Sequence, residues 1–229
     1  MKMSDLTPLW ISIKTAITAT IFVFFLGISA AWFMCKYRGK IRGVLDAIFT
    51  FPLVLPPTVV GYILLLIIGK NGPMGKLFSH FGISLIFTWY ATVIAATIVA
   101  FPLMYRTCTG AFGQIDGNLL YAARTLGASE WKVFWKVAVP LAWPGIASGT
   151  MLAFARALGE FGATLMVAGS IPGKTQTIPI AIYFAVEGGE NGTAIMWVLV
   201  IFIISLVVMM LTEKWTESQY SIVPLGRRK

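Results

Sequence analysis

The chain has 229 residues, 58% of them hydrophobic and 12% charged, with a mean hydropathy of +0.82. Soluble domains carry about 25% charged residues, so these figures exclude a soluble core and require an integral membrane protein. The net charge of +9 does not point to nucleic acid, because the basic residues are scattered between apolar runs, where they set topology.

About 20 apolar residues cross a bilayer, and five segments qualify: 16–35, 47–69, 85–105, 141–168 and 192–212. Lys2 and Lys14 precede the first, as they would in a signal peptide. It ends in AAWFMCKYRGK without a small-x-small cleavage pattern, so it reads as a retained span. The second holds Pro52, Pro56 and Pro57, and the third has Pro102 near its end. Each proline removes a backbone donor and bends its helix. The plain reading is kinks that shape packing; the sharper one is bends around the mouth of a pathway.

Residues 116–140, between the third and fourth spans, are polar where their flanks are almost uncharged. Asp116 is placed to cap a helix running to Leu126, and Gly127 suits the left-handed position that ends it. Ser129 caps a second helix, with Glu130 in its first turn where the helix dipole favours an acid. Pro140 and Pro144 mark its end or a re-entry into the membrane. Trp131, Phe134, Trp135 and Ala138 share one face by spacing, and Lys132 and Lys136 another. Such a pair either lies on the inner leaflet or is gripped by something in the cytosol.

The fourth span carries Arg156 and Glu160 about midway. A charge at mid-bilayer costs about 2.5–3.5 kcal/mol on insertion scales, so such residues face a cavity or a partner. Standing i, i+4, they share a helix face, as a scaffold pair or as a pair lining a pathway or gate. The fifth span leads to a tail, 213–229.

Five spans put the termini on opposite sides. Lys36, Arg38, Lys40, Arg42, Arg106, Arg124, Lys132, Lys136, Lys214, Arg227, Arg228 and Lys229 fall on one side, twelve in all. The other side has five: Lys2, Lys14, Lys70, Lys76 and Lys174. The richer side is cytoplasmic, so the N-terminus is outside and the C-terminus cytoplasmic. Cys35 and Cys108, at the ends of apolar segments, form neither a disulfide framework nor a metal site, and His80 stands alone, so no metal is expected.

The run Ala122-Ala123-Arg-Thr-Leu126-Gly127, followed by Val139-Pro140-Leu141, resembles the coupling loop of permease subunits of binding-protein-dependent ABC importers. Tyr121 stands where that family usually has Glu, and Val-Pro replaces its usual Leu-Pro. The likeness extends over 11–212, carried by FPLVLPPTVVGYILL, FPLMYR and LAFARALGEFGATLMVAGSIPGKTQTIPIAIY. It is most similar to molybdate permeases, with tungstate and sulfate or thiosulfate relatives next.

The resemblance implies an all-α membrane domain of the type I importer fold, in the inner membrane. It implies a homodimer working by alternating access, two cytosolic ATPase subunits and an extracytoplasmic oxyanion-binding protein. Ala122, Ala123, Leu126, Gly127, Glu130 and Pro140 would couple to the ATPase. Arg156, Glu160, Pro56 and Pro57 are pathway or gate candidates.

Gly169-Ser-Ile-Pro-Gly173-Lys174-Thr175 has three residues between its glycines where a phosphate-binding loop needs four, and Ala168 stands where the first glycine belongs. The chain is therefore expected to bind no cofactor and catalyse nothing, ATP being used by a partner. A membrane enzyme would need two titratable groups at depth, and a passive channel would leave the polar helix pair without a purpose.

Overall fold

The computed structural model describes the backbone of residues 6–222 and the side chains of residues 6–210. The end of the expected tail lies outside them. Among the described residues every regular element is helical. In chain order the helices are α1 (Thr7–Lys36), α2 (Arg42–Val54), α3 (Pro57–Ile68), α4 (Pro73–Ser79), α5 (Trp89–Gly113), α6 (Gly117–Thr125) and α7 (Glu130–Val133). After a π-turn, Phe134–Ala138, come α8 (Val139–Leu158), α9 (Gly162–Ala168), α10 (Ile178–Glu187) and α11 (Asn191–Ile222).

Helix α5 is the central post. Thr15 in α1 hydrogen-bonds Thr92 at 3.0 Å, and Cys35 lies 3.9 Å from the carbonyl of Thr109. Both low-numbered and high-numbered ends match, so α1 and α5 run parallel. One crossing must therefore lie between them, and α2 with α3 supplies it. Tyr105 donates to Asp46 of α2 at 2.6 Å, while Val60, Leu64 and Ile68 of α3 pack with Ala91, Ala95 and Val99 at the other half of α5.

That crossing is broken, bending by 116° between α2 and α3. Leu55 and Pro56 each precede a proline, which disfavours helical ψ. Both are extended, at ψ 142° and 138°. Pro57 then opens α3, where a missing N–H is harmless. The single prolines Pro52, Pro102 and Pro144 stay inside helices. The expected second span thus starts at Arg42 instead of Ala47 and is two helices.

The return crossing is also in two pieces. A methyl group on Gly145 would meet Ala111 and one on Gly149 would meet Met104 and Thr107, so α8 runs antiparallel to α5. Helix α9 ends where the Phe87 N–H donates to the Val167 carbonyl at 3.0 Å. Between them Gly159, Glu160 and Phe161 leave helical geometry, with Phe161 at φ −129°, ψ −64°. The sequence reading treated 141–168 as continuous, and no proline marks this break.

Pro140 and Pro144 do not end the second polar helix. Glu130–Leu158 is one helix of 29 residues, and Pro140 sits in the first turn of its α8 portion. The π-turn before it widens the spiral where a proline ring would otherwise press on the preceding turn. The face shared by Trp131, Phe134, Trp135 and Ala138 is divided. Val133, Phe134 and Ala138 are buried, whereas Trp131 is 70% exposed and Trp135 is exposed.

Candidate docking and gating site

The exposed helix pair is built by local signals. Asp116 accepts from the Asn118 N–H at 2.9 Å and caps α6. At its other end the Ala128 N–H returns to the Ala123 carbonyl at 3.1 Å, and Gly127 takes φ +79°. This is the six-to-one closure that favours glycine. Ser129 then accepts from the Lys132 N–H at 3.4 Å and starts α7. Leu126 projects at the corner, 87% exposed, with Ala122 and Tyr121 also exposed beside it.

The Glu130 carboxylate is exposed but paired within its own chain. Arg124 Nε donates to its Oε1 at 2.6 Å, and Lys36 at the end of α1 pairs with its Oε2. The Arg124 hydrogen bond first, and then that from Lys36, hold the Glu130 carboxyl down to about 2. Neither partner was legible as such: Lys36 lies 94 residues from Glu130, and its only sequence signal is as a topology charge. Asp46, the acceptor for Tyr105, did leave a sign, as a lone acid at the edge of an apolar run.

The second assembly lies where the two broken crossings meet. Glu160 is 2% exposed, and its Oε2 stands 2.9 Å from Arg156 Nη1. Its Oε1 accepts from the Ala163 N–H at 2.8 Å, so the carboxylate caps α9. The pair forms as its spacing suggested, but Glu160 has left the helix that carries Arg156. The breaks touch: a Cβ on Gly162 would lie 3.1 Å from Pro57 Cβ, and one on Gly61 would lie 2.8 Å from Ala163 Cα. Helices α3 and α9 thus pack backbone against backbone, with Pro56 and Pro57 exposed beside them. Arg156 keeps 30% of its side chain exposed.

The stretch 169–175 closes on itself. Thr175 is fully buried, and its hydroxyl accepts from the Ile171 N–H at 3.0 Å. Among the described residues no three His, Cys, Asp or Glu side chains gather at metal-binding range.

Residues 23–214 match the family described as "Binding-protein-dependent transport system inner membrane component". The chain belongs to that family. It is therefore a permease of an ABC importer, a multi-pass inner-membrane protein. It is 46% identical over 209 residues to the putative molybdenum transport system permease protein YvgM of Bacillus subtilis (strain 168), covering 91% of this chain and 92% of the relative. It is 47% identical over 189 residues to the molybdenum transport system permease protein ModB of Escherichia coli (strain K12), covering 80% and 82%. A bacterial ABC transporter involved in the import of the acidic polysaccharide alginate superposes with TM-score 0.76 at 14% identity, over 95% of this permease and 80% of that chain. That likeness shows the type I importer fold.

Proposed function

We propose that this permease carries molybdate inward as a homodimer, driven by two cytosolic ATPase subunits and supplied by an extracytoplasmic oxyanion-binding protein. The single observation that carries the substrate is its 46–47% identity to two molybdenum transport permeases across most of its length. The exposed corner at Ala122, Ala123, Leu126 and Gly127 is the surface offered to the ATPase, with Glu130 bracing it from behind. Pro140 holds the start of the following crossing. The twelve-to-five division of basic residues supports a cytoplasmic C-terminus and an outside N-terminus. The chain binds no cofactor itself, and ATP is hydrolysed by the partner.

A partly exposed guanidinium at membrane depth is unfavourable against lipid, which supports a pathway along the dimer axis past Arg156. ATP closes the ATPase dimer, the helix pair follows, and the contact between α3 and α9 opens outward; hydrolysis resets it. Uptake of labelled molybdate into proteoliposomes holding permease, ATPase and binding protein tests this. Uptake should need ATP and the binding protein, and tungstate should compete. Uptake without ATP would indicate a channel, and sulfate as the sole effective competitor would reassign the substrate.

A further inference from the structure

The family match begins at residue 23, inside α1. Helix α1 is tied at both ends. At one end Lys36 pairs with Glu130, and its ammonium lies 4.6 Å over the Trp32 ring. Trp32 in turn packs 5.1 Å from Phe134, the first residue of the π-turn. At the other end Ser12, 2% exposed, accepts the Ile178 N–H at 2.8 Å. That donor opens α10, where helix geometry leaves an N–H without an internal partner. Between these ties α1 presents small buried residues, Ala16, Ala19, Gly27 and Ala31. A close-packed rod held at its two ends moves as a body instead of bending.

We propose that Lys36 is a positioning residue of the transport cycle. Through Glu130 it makes α1 follow the exposed helix pair, and α1 delivers that displacement to the start of α10 on the opposite face. The proposal rests on the reading that the pair docks on the ATPase. The plainer role, a cation at the end of α1 favoured by the helix dipole, accounts for Lys36 but not for its pairing with a residue on another helix. It also leaves Ser12 without a part in the cycle.

The test uses the complete complex of permease, ATPase and binding protein in proteoliposomes, with Lys36→Met, Lys36→Gln, Lys36→Arg and Ser12→Ala. Both neutral Lys36 variants should capture the ATPase in wild-type amount. Hydrolysis stimulated by the binding protein should fall about ten-fold in them, within the range of allosteric coupling energies. Lys36→Arg should recover most of it, and Ser12→Ala should show the same split more weakly. Wild-type stimulation in the assembled Lys36→Gln complex would overturn the proposal. Lost ATPase capture in the neutral variants would overturn it too, since Lys36 would then belong to the docking surface. If the unmodified permease captures no ATPase, the docking reading itself fails and this proposal falls with it.

Discussion

The exposed helix pair and the meeting of the two broken crossings are built by opposite means. Every end of α6 and the start of α7 is set by a residue within three or four positions: Asp116, Gly127, Ser129. The contact at Gly61, Pro57, Gly162 and Ala163 joins residues about a hundred positions apart, and its geometry belongs to neither helix alone. A docking surface that must present one shape to a partner benefits from being locally determined. The contact between α3 and α9, proposed above to open, depends instead on the packing of separate pieces, so that changing one tilt changes the whole contact.

The sharpest way to break this contrast is at Arg156. Its removal as Arg156→Met leaves Glu160, 2% exposed, without a counter-charge, a loss of about 3–5 kcal/mol for a buried pair. Glu160→Met leaves a guanidinium whose side chain is 30% exposed, against 2% for the carboxylate. That change removes chiefly the cap on α9, about 0.5–2 kcal/mol. The double variant should be no worse than Glu160→Met, since no charge is then stranded. Thermal unfolding of the purified permease in detergent should rank them with Arg156→Met lowest. Equal losses for the two single changes would mean that Arg156 is as enclosed in the purified permease as Glu160.

A smaller effect is expected where α3 meets α9. A methyl group at Gly61 would stand 2.8 Å from both Ala163 Cα and Met166 Cβ. One of those neighbours is backbone and cannot turn aside. Gly61→Ala should destabilise by about 1–3 kcal/mol, as overpacking does. Gly162→Ala, whose Cβ would meet Pro57 Cβ at 3.1 Å, should cost less. If the contact is also the moving one, Gly61→Ala should lower uptake more than its loss of stability explains. Unchanged melting and uptake would show that α3 and α9 separate without strain.

These two regions also show what was legible beforehand. The all-helical membrane architecture and the caps of the helix pair follow from hydropathy and single-residue signals. The break at Leu55–Pro56 was half legible, since the prolines announce a bend but not that two successive pre-proline residues would turn it through 116°. The break at Gly159–Phe161 left no such mark, because it is held by Glu160 reaching Ala163 and by α3 packing against α9. Lys36 on Glu130 was hidden for the same reason. A contact 94 residues long in sequence has no period to betray it. Regular spacing also did not show that Phe134 and Ala138 are buried while Trp131 and Trp135, placed on the same face, stay exposed.

The helix pair offers the mildest and most selective test. Gly127 sits at φ +79°, and a Cβ there would meet nothing within 4 Å, so any penalty for replacing it is conformational and not steric crowding. Asparagine tolerates the left-handed region and valine does not. Gly127→Val should strain the corner by about 1–2 kcal/mol, whereas Gly127→Asn should be nearly neutral. Helices α6 and α7 contribute few buried side chains, Val133 alone between them. Global unfolding should therefore barely register either change. ATPase capture should register the difference, because the valine variant displaces Leu126, the most exposed side chain at the corner, from the position the Gly127 turn gives it. Capture that survives Gly127→Val and is lost with Leu126→Asp would mean that the docking surface tolerates a misshapen corner and is read mainly through its apolar tip.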